Sequence, residues 1–215
     1  MIADLRALVF DMDGTLIDST QAVTSAYRQA VLQGGGRNYE PGAIVAAYPV
    51  GPPLAILTHL LGRAAGEADL LAYHTSLAGL TDLVGVYPGI RDALGDLQAA
   101  NVPLAVFTGG SSRAARIILG GTGLARHFAV VVGGDEVARP KPEPDGVKLA
   151  CDMLGVELKD AGYVGDSPLD LEAARRSGAR AIASAWGHLY MADAPSDVAV
   201  SHPRELLRLV QPAFE

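Results

Sequence analysis

The stretch Ala7-Leu8-Val9-Phe10-Asp11-Met12-Asp13-Gly14-Thr15 decides how this chain is read. Its first four residues are uniformly apolar, the pattern of a strand buried on both faces. The run stops at two aspartates two positions apart. On extended backbone that spacing points both carboxylates the same way, so both can address one cleft. Buried like charges repel, and such a pair needs a cation or a shared proton. Gly14 permits the tight turn that follows. One aspartate at a strand end is ordinarily a cap or turn residue; two, followed by Gly and Thr after a buried strand, are not.

Outward from this stretch the chain changes texture twice. From Ser19 to about Asp82 it is helical, with helices predicted over 21–32, 41–48, 53–61 and 67–77. Gly34-Gly35-Gly36 stops the first, and Pro52-Pro53 opens the third. No strand is expected there. After Tyr87-Pro88-Gly89, helices over 90–100, 112–119, 144–154, 169–177 and 203–210 alternate with strands over 103–107, 128–132, 161–164 and 180–183. Alternation of this kind implies right-handed crossovers and a parallel sheet. The expected fold is α/β: a Rossmann-like parallel sheet with helices on both faces, formed by residues 1–18 and 83–215. An α-helical cap, residues 19–82, is inserted after the first strand.

Three more motifs fall at strand ends, where open α/β sheets place ligands. Thr108-Gly109-Gly110-Ser111-Ser112 joins a strand to a helix, and its hydroxyl and backbone N–H groups suit an anion, although the same residues also simply cap helices. Lys141 stands between Pro140 and Pro142, which stiffen its loop. In Gly165-Asp166-Ser167-Pro168-Leu169-Asp170, Ser167 suits a helix cap and Pro168 the first turn, so Asp166 and Asp170 can converge. Acids from the first and last motifs are hard oxygen ligands that suit Mg²⁺ beside a phosphate.

Composition narrows the partners. The 215 residues carry 17 Lys and Arg against 24 Asp and Glu, a formal charge of −7, which argues against binding along a nucleic-acid backbone. A small anion stays possible, since one metal and one lysine reverse the sign locally. Lysine occurs only at 141, 148 and 159. The single cysteine, Cys151, excludes an intrachain disulfide and reads as a small core residue. No apolar run is long enough to span a membrane, and the opening MIADLRALVF carries Asp4 and Arg6 where a signal peptide would be apolar. The expected location is the cytoplasm.

With DMDGT at 11–15, the Thr108 turn, Lys141 in RPKPEPD and GDSPLD at 165–170 in this order, the chain resembles the haloacid dehalogenase superfamily over essentially its whole length. YPGI, VVGGDEV, KPEPDG and GARAIASAWG look most like phosphoglycolate phosphatases. The resemblance implies a Mg²⁺-dependent phosphatase acting on a small phosphorylated metabolite. Asp11 would be the nucleophile and Asp13 the general acid and base. Thr108, Gly109 and Lys141 would hold the phosphoryl group. Asp11, the Asp13 carbonyl oxygen and Asp166 would bind the metal, with Asp170 in support.

Several rivals are weighed by residue. Dehalogenases need no acid at position 13. A Schiff-base phosphonate hydrolase needs a cap lysine, and there is none before Lys141. Mutases of the superfamily usually carry a histidine where Val23 stands. Sugar-phosphate and pyrophosphate hydrolysis stay open, as does a non-catalytic phosphate-binding module, which the retained acids and Lys141 argue against. Gly109 and Gly110 replace the Asn or Lys of many relatives, so side-chain contacts to substrate from that loop are lost or moved to Ser111, Ser112 or Arg113. Arg28, Arg37, His59, Arg63 and His74 are the cap's basic candidates for a substrate anion; each alone is more often a solvated or core-edge side chain. Trp186 is read as packing. The expected state is a monomer or homodimer.

Overall fold

A computed structural model describes residues 4–211, so the outer limits of the expected core, 1 and 215, lie outside the described residues. Strand β1 (Ala7–Phe10) is buried along its whole length. β2 (Ile17–Asp18) and β3 (Gly85–Val86) pair with each other in an antiparallel ribbon. The other strands are β4 (Leu104–Phe107), β5 (Val130–Val132), β6 (Ala161–Gly165), β7 (Arg180–Ser184) and β8 (Val198–Val200). With β1 they form one parallel sheet in the order β5-β4-β1-β6-β7-β8. The chain first builds outward from β1 to β4 and β5, then returns to β6 on the other side. The order reverses at β1, the kind of switch point where open α/β sheets leave a crevice at the strand ends.

Both faces of the sheet are covered, which is why its central strands are apolar without alternation. Leu8, Phe10, Leu104 and Val106 share one cluster with residues of α5 (Ile90–Ala99) and α6 (Ser112–Gly121). Val9, Ala105, Phe107 and Tyr163 face the other way, with α7 (Asp145–Leu154) and α8 (Pro168–Ser177). Cys151 is fully buried in this second cluster, the core role expected for it. α7 approaches β4 through Gly146, where a Cβ would lie 2.1 Å from the Phe107 ring.

Between β2 and β3 come α1 (Thr20–Gln33), α2 (Pro41–Val45), α3 (Pro53–Leu61) and α4 (Glu67–Ala78). α1 packs along α4, with the Tyr27 ring stacked on Tyr73 at 4.2 Å between centroids. α4 also lies against α6. The α5–α6 cluster continues through Met12, Leu16 and Ile17 into Ala26, Ile44, Leu57 and Leu77, so the inserted helices rest on the sheet domain.

Four details differ from the sequence expectation. The helix over 41–48 breaks after Val45, and Tyr48–Val50 forms a separate 3-10 turn. Pro49 lacks an N–H and disfavours helical backbone at the residue before it. The strand over 128–132 begins only at Val130, after a 3-10 turn at Ala125–His127. The final helix is a 3-10 segment, Pro203–Arg208. β2, β3 and β8 were not anticipated, being too short to show a period.

Two helix glycines test this packing. Gly146→Ala overpacks the α7–β4 contact, at a cost of about 1–3 kcal/mol. At roughly 2–4 °C per kcal/mol for a chain of this size, the melting temperature falls by about 5 °C. Gly95, in α5, has nothing within 4 Å of the corresponding position, and Gly95→Ala holds or raises it. Thermal melts followed by circular dichroism check both.

Candidate active site

β1 delivers Asp11 to the crevice. The Asp11 amide donates to the Val164 carbonyl at 2.8 Å, extending the β1–β6 ladder by one residue. Gly14, at φ +87°, turns the chain; a Cβ there would lie 2.3 Å from Asp166 Oδ2. Conformation and space both exclude a side chain. Gly187 closes on Asp166 from elsewhere, its Cβ position 2.2 Å from the Asp166 Cβ. Asp170 sits in the first turn of α8 and exchanges hydrogen bonds with the cap residue Ser167. Its Oδ2 accepts from Ser167 Oγ (2.6 Å) and N (3.1 Å), and Ser167 Oγ accepts from Asp170 N (3.3 Å).

Lys141 reaches in from the loop before α7. Its Nζ donates to Asp11 Oδ1 at 2.5 Å and to Asp170 Oδ1 at 2.6 Å, with the side chain 11% exposed. Tyr163, unnoticed in the sequence, supports this pair. Its hydroxyl lies 3.1 Å from Asp170 Oδ1 and 3.0 Å from the Phe107 carbonyl. The Lys141 ammonium also lies 5.0 Å from the Phe107 ring centroid and 5.4 Å from that of Tyr163.

Carboxylate oxygens of Asp11, Asp166 and Asp170 lie within 4.8 Å of one another. Asp166 Oδ2 accepts from Leu189 N at 2.8 Å, but Asp166 Oδ1 is buried with no partner among the described residues. Buried polar atoms nearly always have one. A buried, unpartnered carboxylate oxygen beside two more acids fits a hard divalent cation. The Asp13 side chain stands outside this triad. Its Oδ1 accepts from Ser19 N (3.1 Å) and Ser19 Oγ (2.5 Å), a second partner that the sequence did not point to.

One ammonium among these acids leaves the crevice negative. Burial, then the charge of Asp170, pushes Asp11 well above the ordinary carboxylate range. Burial also raises Asp13 and Asp166. At Lys141 burial disfavours the charge, but Asp11 and Asp170 outweigh it and raise the ammonium's pKa. At Asp170 burial is outweighed by Lys141 and Ser167, and the carboxyl is held below its usual range.

Thr108 is buried at the end of β4, and its Oγ1 accepts from Gly110 N at 3.2 Å. A Cβ at Gly109 would meet nothing within 4 Å. Beyond it the loop is committed to structure. Ser111 Oγ caps α6 by accepting from Ala114 N (3.3 Å), and Ser112 N donates to Asp135 Oδ1 (2.7 Å). Of the alternatives named for substrate contact, Arg113 alone is exposed.

The structure does not gather the inserted segment's basic residues around the acids. Arg63 forms a two-pronged pair with Asp69 at 2.8 and 2.9 Å, and the Arg37 guanidinium lies 4.5 Å above the Tyr39 ring. Arg28 and His59 are exposed. His74 is buried, with neither ring nitrogen partnered among the described residues. Trp186 Nε1 donates to the Thr15 carbonyl at 2.9 Å, in line with a packing role.

The family model of haloacid dehalogenase-like hydrolases matches residues 5–178. This chain belongs to that family. Among its relatives, a phosphoglycolate phosphatase from Chromobacterium violaceum is 33% identical, over 96% of this chain and 97% of its own. An N-acetylmuramic acid 6-phosphate phosphatase from Pseudomonas aeruginosa is 29% identical, over 98% and 96%. The solved structure of CbbY from Rhodobacter sphaeroides in complex with phosphate superposes with a TM-score of 0.78, over 94% of this chain and 96% of that one. At 24% identity that likeness concerns the fold. No helix among the described residues of this hydrolase is long and apolar enough to cross a membrane.

Two buried side chains yield checks. Burial, then the charge of Arg113, lowers the His74 pKa below 6.5, while Asp135 opposes this. Between the folded and unfolded pKa values the unfolded chain binds the extra proton. The His74 contribution is therefore complete above about pH 6.5 and is lost as pH falls through the folded pKa. Chemical denaturation at about pH 7 and about pH 5 shows the loss, and His74→Phe flattens that slope. Burial pushes the Cys151 thiol up to about 11. A disulfide thiol reagent therefore leaves the native hydrolase unlabelled at neutral pH and reacts fully once denaturant is added.

Proposed function

We propose that this hydrolase is a phosphatase that cleaves the phosphate monoester of a small metabolite through an aspartyl-phosphate on Asp11. Its relatives' names make 2-phosphoglycolate the first substrate to test. The observation that carries the reading is the bridge from Lys141 to Asp11 and Asp170 at the switch point of the sheet. It supports a nucleophilic carboxylate beside a cation able to hold phosphoryl oxygens.

In this reading Asp11 attacks phosphorus in line with the leaving oxygen. The bond from phosphorus to that oxygen breaks as the bond to Asp11 forms. Asp13, held by Ser19, protonates the leaving alkoxide. It then takes a proton from the water that attacks the phosphorus and frees Asp11. The Lys141 ammonium, the Thr108 hydroxyl and the Gly109 N–H hold the phosphoryl oxygens through the transition state. Asp11, the Asp13 carbonyl and Asp166 would hold Mg²⁺, with Asp170 in support. When bound, the ion offsets the charge of the acids and the phosphoryl group.

Residues 19–82 act as a cap on the core formed by 1–18 and 83–215. Substrate enters as the cap turns about the connections that the β2–β3 ribbon joins. A small metabolite as substrate and a single buried thiol suit a cytoplasmic enzyme.

Phosphate release from 2-phosphoglycolate and other small esters tests the reading. Asp11→Asn is expected to lower turnover at least about a thousandfold. Wild-type turnover by that variant would remove the aspartyl-phosphate mechanism. EDTA is expected to abolish turnover and Mg²⁺ to restore it; turnover indifferent to chelation would remove the metal assignment.

A further inference from the structure

Resting on the phosphatase reading, we propose that Tyr48 reads the leaving group. Its hydroxyl donates a hydrogen bond to an oxygen, carboxylate or hydroxyl, on the carbon next to the ester carbon of the substrate.

The starting observation is an unpartnered atom. Tyr48 Oη is buried and has no hydrogen-bond partner among the described residues. Buried hydroxyls rarely stay so, and one in an enzyme's crevice is a candidate for a ligand contact. Tyr48 opens the turn between α2 and α3, and its ring centroid lies 6.3 Å from that of Tyr27, which stacks on Tyr73. Tyr27 and Tyr73 are each 2% exposed, so the Tyr48 ring rests on a fixed aromatic pair. Tyr48 packs against the same apolar cluster as Met12, the residue between Asp11 and Asp13.

Met12 and Leu16 carry that cluster up to the turn that holds Asp13. Burial raises the Tyr48 and Tyr73 hydroxyls, and the charge of Asp13 raises both further. Asp13 protonates the leaving oxygen, so the organic part of the substrate extends from there. Asp13 Oδ1 is already engaged by Ser19. The basic residues of the inserted segment leave the task open: Arg63 is paired with Asp69, Arg37 lies on Tyr39, and Arg28 and His59 are exposed. A tyrosine hydroxyl, held by apolar packing and free of a competing acceptor, supplies the donor.

The experiment compares kcat/KM for 2-phosphoglycolate, glycerol 1-phosphate and ethyl phosphate in the wild type and in Tyr48→Phe. Ethyl phosphate has the same ester carbon and lacks the oxygen. The wild type is expected to prefer an oxygen-bearing ester. Tyr48→Phe reduces that preference about tenfold, mainly through KM. Which ester loses most tells whether carboxylate or hydroxyl is read. Tyr39→Phe is the control, because the Tyr39 hydroxyl donates to the Leu60 carbonyl at 2.8 Å; it leaves the preference in place. An unchanged preference in Tyr48→Phe, or a wild type indifferent to the oxygen, would overturn the inference alone. Absence of turnover with every ester would remove the phosphatase reading and the inference with it.

Discussion

The ammonium of Lys141 lies between Asp11, at the end of β1, and Asp170, in the first turn of α8. Carboxylate oxygens of three acids come within 4.8 Å of one another there, and each is buried. Without a counter-charge that crowding would drive the loops apart or force protons onto the acids. Removing one member of a buried ion pair typically costs about 3–5 kcal/mol, because the partner is left charged and unsolvated. Lys141 thus ties the loop before α7 to the strand ends that carry the acids. The same negative balance makes the cluster receptive to a divalent cation.

The rest of the crevice follows from how closely backbone segments approach. Gly14 and Gly187 converge on Asp166, and Gly165 stands where a Cβ would lie 2.3 Å from the Asp170 Cβ. Larger residues would push the acids apart and widen the gap that Lys141 spans. Beneath them, the alternation of β1 and β4 side chains between two apolar clusters fixes which way each strand end points. The inserted helices join the first of those clusters, so their aromatic residues are set against the same scaffold as the acids.

Much of this was legible from local signals. The helix over 53–61 has its predicted limits because Pro53 starts it and Gly62 ends it, and Ser167 and Pro168 set the start of α8. The strand-end motifs announced Asp11, Lys141, Asp166 and Asp170, which the fold brings together. β2, β3 and β8, of two or three residues, offer no period to detect. Tyr163 was hidden because, in the buried strand AGYVG, it reads as one more apolar residue. Its hydroxyl matters only once α8 brings Asp170 across it. The basic residues of the insertion were candidates for an anion, each more often a solvated or core-edge side chain, and Arg63 follows the second reading by pairing with Asp69.

By itself the sequence determined the alternation of the longer strands and helices, the parallel sheet, the inserted helical segment and the set of acids and lysine at the strand ends. These are matters of local pattern: burial period, caps, turns and the repulsion that paired carboxylates carry with them. Only the tertiary structure decided which groups share a charge and which polar atoms lack a partner. Lys141 meets Asp11 across 130 positions of sequence, and no local pattern records such a meeting. Asp166 Oδ1 and Tyr48 Oη stand out for the same reason: an unmet hydrogen bond is a property of the packed whole, since it depends on every group that could have supplied the partner.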